Sequence, residues 1–422
     1  MLKLIIFPAL FIPNEELEYS LRSVDKGSVL LICKRDFIED YRYKGHFVED
    51  DFNDIGSLIR KIEGWFEEKG KKPSGIIGID DEDQFMVTRR IADRFSLDFY
   101  PDCVLQAASN KYIMKKRFKG AGVASPDFCL VRKPEDNIIG FPNVIKPICG
   151  SGSEFIFRND DKEGLKKNLS ILKKEAACIK GDSRFTELKD KEERFDSRTD
   201  FLVEGYAKGE EYSCDFSFSE GKITVLRVTK KYKSRHFGLF RGYFLMSMDT
   251  IKKQGISIEL LKDTCKNIAA SLKIEEGVCM VDFKADNGRI QVIETSIRPG
   301  FAPFINLMHR LYGYSSIKVL VEQKEGKAED YSIQEEEGLV VQIIAPKEGK
   351  IKRLGFKDKE KLRSMGLLDC FLYNEPGDRI RYNKFDPNEM LLGYAAFKAQ
   401  YHDLEKIFKA ADDGIAMEME DG

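Results

Sequence analysis

Short apolar runs alternate with polar, helix-spaced stretches through the first quarter of the chain. Residues 4–7, 29–33 and 75–79 are apolar or small at almost every position. Such runs read as strands buried on both faces. Residues 15–23, 55–69 and 85–95 between and after them read as helices. Strand–helix alternation of this kind predicts a parallel sheet with helices on its faces over residues 1–103. No G-x-G-x-x-G follows the first strand, so no dinucleotide site is expected there.

A second unit opens near residue 104. Ser109 reads as the cap of a helix reaching about residue 119, with Gly120 and Gly122 ending it. Strands are expected over 128–131 and 143–147. A glycine-rich turn, Gly150-Ser151-Gly152-Ser153, leads to a third over 154–158. Residues 159–200 are dense in charge, with one amphipathic helix, and about 181–199 read as a mobile surface insertion. Strands dominate 201–294, broken by a helix over about 257–272. The last segment has strands over 339–345 and 379–382, a helix over about 388–411, and an acidic tail.

The pattern around residues 278–300 carries the strongest chemical signal. Two apolar runs flank Asp286-Asn287-Gly288-Arg289, a hairpin turn. A three-residue loop, 287–289, would set Asp282 directly opposite Glu294 and separate polar from apolar side chains. Like charges so placed cost up to about 1 kcal/mol unless a cation lies between them. Period 2 then adds Ser296 and Arg298 to the face of Glu294. Two carboxylates, a hydroxyl and a guanidinium on one face can hold metal-bridged phosphates.

Two weaker signals accompany it. In IKPICGSGSE, residues 145–154, Lys146 ends a strand ahead of a glycine turn. Glycines let backbone N–H groups approach phosphate oxygens, and the lysine adds a point charge. It is not a Walker A loop, because the lysine precedes the glycines. In FLVEGYAKGEEYSCDFSF, residues 201–218, a strand ends at Glu204 and Glu211 enters the next. Backbone between two strands can read an adenine edge, and a carboxylate can accept from ribose hydroxyls.

Composition narrows the classes. At about 150 residues per domain, 422 residues make two to four domains. Lys and Arg number 69 against 71 Asp and Glu, so no overall basic field exists for nucleic acid or an anionic membrane. Four histidines leave little for zinc or iron, which points any metal toward carboxylate oxygens and a hard ion. The nine cysteines are scattered and never spaced C-x-x-C, which suits a reducing cytoplasm. The apolar opening contains Pro8 and Pro13 and reads as a strand rather than a signal peptide. No stretch approaches the roughly 18 apolar residues of a membrane span.

Preceded by SNKYIMKKRFKGAGVASPDF (109–128), these features follow an order that resembles the ATP-grasp superfamily over about residues 75–310. The resemblance makes Lys111 and Lys146 the nucleotide lysines, and Gly150, Ser151, Gly152 and Ser153 the phosphate loop. Glu204 and the backbone near Ala207 match the adenine hinge, Glu211 the ribose carboxylate, and Asp282 and Glu294 the Mg²⁺ carboxylates. Arg298 matches the arginine of the E-x-N-x-R ending. Ser296 stands where the family usually has Asn, a metal ligand, and its hydroxyl or a water on it would substitute. Glu154 replaces another frequent glycine.

The resemblance implies an α/β ATP-grasp fold. A Rossmann-like pre-ATP-grasp domain (1–103) would precede a small lid subdomain with a charged insertion (104–200), a large subdomain (201–337) and a small β-rich C-terminal domain (338–422). The carboxylate–amine ligase branch, which includes the L-amino-acid ligases, looks nearest. Residues 76–97 resemble its pre-ATP-grasp ending. This implies ATP and Mg²⁺ (or Mn²⁺), an acyl phosphate, and attack by an amine, with Arg298 and Lys146 as catalytic groups. The partners would be a small-molecule carboxylate and amine, with no nucleic acid or membrane, and a homodimer is the default oligomer. Residues 228–242 carry Lys230, Lys231, Lys233, Arg235, His236 and Arg241, and in this reading form a loop closing over substrate. His236 is left out of the catalytic set. Residues 416–419 resemble a biotin-attachment motif, but Glu418 replaces its lysine. The alternatives are bicarbonate activation or phosphoryl transfer, or a weakly catalytic ATP-binding regulator.

Overall fold

The computed structural model describes residues 1–422 except 1, 2, 10, 11, 13, 51, 53, 81–84, 151, 153, 179–186, 191, 192, 301, 302, 328–330, 383–385, 421 and 422. Of the insertion expected over 181–199, residues 181–186, 191 and 192 lie outside the described residues, and Glu187–Asp190 pairs antiparallel with Glu193–Asp196 as a two-stranded ribbon.

The N-terminal part is a parallel sheet in the order His46–Glu49, Val29–Cys33, Lys3–Pro8, Lys72–Ile76. The fourth strand starts and ends earlier than the 75–79 run suggests, because its pairing with the first strand ends at Ile76 opposite Ile6. Helix Ile55–Lys69 shows why these segments take their places. Asp54 accepts from Gly56 N at its start, Gly70 closes it at φ 56°, and Leu58, Ile62 and Phe66 form one buried stripe.

Next comes an antiparallel sheet ordered Phe128–Val131, Phe201–Gly205, Asn143–Pro147, Phe157–Asn159. Helix Lys162–Cys178 covers it with Leu165, Leu169 and Leu172. The strand expected over 154–158 starts later, at Phe157. The helix expected from Ser109 is two helices, Asp102–Ser109 and Lys111–Gly120. Asn110 is the cap, its Oδ1 accepting from Tyr112 N and Ile113 N, while Ser109 Oγ donates back to the Leu105 carbonyl.

The body of the molecule is one eight-stranded sheet with every neighbouring pair antiparallel. Its order is Arg289–Ser296, Gly277–Asp286, Glu210–Ser219, Lys222–Lys233, Phe240–Leu245, Gly338–Ile344, Leu391–Lys398, Leu367–Leu372. Helix Ile258–Leu272 packs Leu261, Cys265 and Ile268 into the core that holds Cys214, Phe216 and Val281. Helices Pro303–Tyr312 and Ser316–Lys324 build a second core with Leu226, Leu245 and Val340.

The helix expected over 388–411 is a correction. Pro387–Met390 is a short 3-10 turn, Leu391–Lys398 a strand, and only Leu404–Gly414 a helix. Apolar side chains on both faces of LLGYAAFK mask the period that separates strand from helix. Gly393 adds a sheet-specific demand, since a Cβ there would lie 2.1 Å from the Phe371 carbonyl oxygen. The strand expected over 379–382 is only Arg379–Ile380. Among the described residues no helix is long and apolar enough to cross a membrane.

Candidate active site

The hairpin Gly277–Asp286/Arg289–Ser296 turns at Asn287-Gly288, whose φ values are 48° and 76°. That is a two-residue turn with positive φ at both centres, which Asn-Gly suits. Asp286 therefore pairs with Arg289, not with Ile290 as a three-residue loop would require. A bulge then intervenes. Phe283 faces Val292, but Asp282 faces Glu294, so Ile293 is the extra residue. The two carboxylates end up opposite each other as expected, through a bulge rather than through loop length.

Cations from three other elements converge on this pair. Strand Lys222–Lys233 sets Lys231 opposite Glu211, and Lys231 Nζ lies 2.6 Å from Asp282 Oδ2 and 3.4 Å from Glu211 Oε1. Lys111 opens helix Lys111–Gly120; its Nζ donates to the Gly150 carbonyl and lies 3.6 Å from Glu294 Oε2. One turn later Lys115 is fully buried. It donates to the Val292 carbonyl at 3.0 Å and lies 2.8 Å from Glu204 Oε1. Lys146 lies 2.6 Å from the other oxygen, Glu204 Oε2. Glu204 is thus clamped between two lysines at the end of its strand.

This charge arrangement sets protonation. Burial alone would push Glu294 up, but Lys111, Lys146, Lys231 and Lys115 outweigh it and hold the carboxyl at about 2. Burial also dominates at Asp282 and pushes it up; Lys231 opposes this, while Glu294 and Glu211 reinforce it. Glu204 sits below its ordinary value because Lys115 and Lys146 overcome burial. Burial lowers Lys115 despite Glu204, whereas at Lys146 the carboxylates Glu204 and Glu294 win and raise it.

Two hollows meet at Asp282 and Glu294. One, about 340 Å³, is lined by Val144, Lys146, Glu204, Tyr206, Ala207 and Glu211. The other, about 270 Å³, is lined by Lys111, Gly150, Gly152, Ser296 and Arg298. Both share Lys231, Asp282, Glu294 and the turn residues Gly238, Leu239 and Phe240 as walls. Gly150 and Gly152 take φ values of 116° and 65°, which favour glycine. Ser151 and Ser153 lie outside the described residues. Arg298 is buried, with Nη1 donating to the Pro299 carbonyl.

The basic segment 228–242 is not one loop. Its start belongs to strand Lys222–Lys233 and its end to Phe240–Leu245, leaving only 234–239 as the turn over the hollows. Lys231 therefore acts from a rigid strand. Lys115 is absent from the sequence-predicted set. Its only signal is the i,i+4 spacing from Lys111, which puts both ammonium groups on one helix face.

The donor set suits a hard cation. Asp282 Oδ1 is buried and has no hydrogen-bond partner among the described residues. No group of three or more His, Cys, Asp or Glu among the described residues is placed to hold a metal unaided. A carboxylate pair that shares its ion with ligand oxygens and water matches the way Mg²⁺ is usually held.

Residues 139–302 match the family model described as an ATP-grasp domain. Over this stretch the chain is similar to an ATP-grasp domain. Solved structures extend the likeness of fold to nearly the whole chain. An L-amino acid ligase from Bacillus licheniformis superposes with TM-score 0.74 at 16% identity, covering 99% of both chains. Phosphoribosylglycinamide synthetase from Anaerococcus prevotii gives 0.65 at 14%, covering 99% of this chain and 100% of that one. The biotin carboxylase domain of Hydrogenobacter thermophilus 2-oxoglutarate carboxylase, in complex with MgADP, ADP and bicarbonate, gives 0.67 at 14%, covering 99% and 91%. No curated protein sequence matches the chain. The α/β ATP-grasp fold expected from the motifs is the fold observed.

Proposed function

We propose that the protein is an ATP- and Mg²⁺-dependent ligase that activates a substrate carboxylate as an acyl phosphate for attack by an amine, releasing ADP and phosphate. The observation that carries this is the pairing of Asp282 with Glu294, ringed by Lys111, Lys115, Lys146 and Lys231, at the junction of two hollows. The hollow at Glu204, Ala207 and Glu211 takes the nucleoside, and the one at Gly150, Gly152 and Arg298 takes the transferring phosphoryl group and the acid. Asp282 and Glu294, with the Ser296 hydroxyl, would hold Mg²⁺ or Mn²⁺, which would supply charge neutralisation for the phosphates.

The chain's own residues position and neutralise. Lys111 and Lys146 offset charge on the phosphoryl group. A carboxylate oxygen of the acid attacks the terminal phosphorus, and the bond to the ADP oxygen breaks. The amine then attacks the acyl carbon, the bond to phosphate breaks, and the amine proton leaves to solvent. Arg298 holds the acid and then the acyl phosphate through its planar fork. No side-chain nucleophile is needed.

The test is ADP release over pairs of amino acids and small carboxylates, with bicarbonate as a separate arm. Release that needs an acid and an amine together supports the ligase. Release on bicarbonate alone would assign carboxylase-type activation instead. Nucleotide binding with no ADP from any pair would make the protein a regulator. Glu294→Ala should lower any release by orders of magnitude while the fold persists; near-normal activity would remove the hairpin from the site.

A further inference from the structure

Three adjacent strands present charged side chains to one wall of the nucleoside-side hollow. Lys284 follows Asp282 by two residues on strand Gly277–Asp286, so the two share a face of the sheet, and both line the hollow. Strand pairing sets Glu211 opposite Lys284 on one side and opposite Lys231 on the other. The two lysines divide the carboxylate between them. Lys231 Nζ lies 3.4 Å from Glu211 Oε1, and Lys284 Nζ lies 3.9 Å from Glu211 Oε2.

The two contacts are not equivalent. Lys231 also has Asp282 Oδ2 at 2.6 Å. Lys284 is only 7% exposed, and among the described residues no carboxylate comes nearer to its ammonium than Glu211. At 3.9 Å the two form an ion pair but not a hydrogen bond, which needs about 2.7–3.2 Å. Burial pushes the Lys284 ammonium below its ordinary value; Glu211 opposes this and Lys233 reinforces it. A buried cation thus faces a cavity with its carboxylate just out of hydrogen-bond reach.

Its place in the hollow is defined on two sides. Lys284 Nζ stands 5.1 Å from the centre of the Tyr206 ring, and Tyr206 belongs to the 204–207 hinge read as the base edge. Glu211 is the carboxylate read as the sugar's. The phosphate-side groups Lys111, Gly150 and Gly152 line the other hollow, whose walls do not include Lys284. A carboxylate only accepts hydrogen bonds and an ammonium only donates them, whereas a hydroxyl does both. One hydroxyl oxygen about 2.8 Å from each would bridge the gap, donating to Glu211 and accepting from Lys284.

We propose that Lys284 is a specificity residue for the sugar of the nucleotide: it donates to a ribose hydroxyl that itself donates to Glu211, so a nucleotide lacking that hydroxyl is rejected. This rests on the reading of the hollow as the nucleoside site and adds to it a cationic contact with the sugar.

The experiment is calorimetric titration of the full-length protein, in Mg²⁺, with ADP, 2′-deoxy-ADP and 3′-deoxy-ADP. These probes carry the same base and phosphates and differ by one hydroxyl. Wild type should bind ADP at least about tenfold more tightly than one of the deoxy nucleotides. In Lys284→Met the affinity for ADP should fall to within about twofold of that for the deoxy nucleotide, which itself should change less than about twofold. Lys284→Arg, which keeps a donor, should retain a preference for ADP. Equal affinities in wild type, an undiminished preference in Lys284→Met, or a loss shared equally by all three nucleotides each overturn the proposal. Should Lys284→Met bind none of them, the arginine variant decides, a preference kept there supporting the proposal and one lost overturning it. Failure of wild type to bind ADP counts against the nucleotide site as a whole, whereas normal ADP binding without sugar discrimination counts against the role of Lys284 alone.

Discussion

The ammonium of Lys231 lies 2.6 Å from Asp282 Oδ2, on the carboxylate proposed to hold the metal. Burial disfavours that ammonium, but Asp282 and Glu211 outweigh the penalty and raise it above its usual value. In that proposal lysine and a dication serve the same carboxylate, the lysine on Oδ2 and the dication toward Oδ1, which is unpartnered among the described residues. Lys231→Met leaves Asp282, Glu211 and Glu294 facing one another with less compensation. Breaking such a buried pair costs about 3 kcal/mol or more. Thermal unfolding in EDTA should show the variant clearly destabilised, with Mg²⁺ restoring more stability to it than to the wild type. An identical Mg²⁺ response in both proteins would place the ion elsewhere.

Glu294 gives a pH dependence with a definite sign. Its carboxyl titrates at about 2 in the folded protein, below its ordinary value near 4.5. In the window between these values the unfolded chain binds more protons, so this group's stabilisation is complete above the upper limit and lost as pH falls toward the lower one. Glu294→Gln should be less stable than wild type at neutral pH. Unfolding midpoints measured from pH 6 down to pH 3 should converge as the wild type loses its advantage. A gap that stays constant over this range would contradict the lysine ring as its cause.

The triad Lys115–Glu204–Lys146 predicts coupling. All three side chains are almost completely buried. Lys115→Met alone leaves Glu204 half-compensated and should cost about 3–5 kcal/mol in urea unfolding. Adding Glu204→Gln should recover part of that loss, because it removes the charge left behind. A double-mutant cycle whose terms simply add would mean the three groups act independently.

Two glycines should respond to alanine in opposite directions. A Cβ on Gly300 would lie 2.2 Å from Arg227 Nη2, which donates to Asp215 Oδ1 at 2.8 Å in a fully buried pair. The same guanidinium sits 4.2 Å over the Phe304 ring. Gly300→Ala should therefore destabilise by about 3 kcal/mol or more and disturb the segment carrying Arg298. Gly64 lies inside helix Ile55–Lys69 with nothing within 4 Å of its Cβ position. Gly64→Ala should stabilise by up to about 1 kcal/mol. Denaturant midpoints of the two variants give a direct comparison.

The sequence carried much of this site because its chemistry is local to motifs. Asp282 and Glu294 face each other as segregation of polar from apolar positions demands, although the two-residue turn alone would have set Asp282 opposite Ile293. The bulge itself has no sequence signal, since Ile293 is an ordinary strand residue. Lys115 sits in KYIMKKRFKG, where neighbouring charges hide a buried one, and its buried partner, Glu204, comes from a strand distant in sequence. Leu391–Lys398 was unreadable for the opposite reason, being buried on both faces.

One consequence of the eight-stranded sheet concerns portability. Gly338–Ile344 hydrogen-bonds along Phe240–Leu245, so the strand beside the Lys231 strand is itself completed by the C-terminal segment. A fragment stopping at residue 337 would expose that strand as a raw, apolar edge, an invitation to self-association. The sheet that carries Lys231 and Asp282 is thus not a cassette that can be lifted out of the chain, and it has to be kept whole.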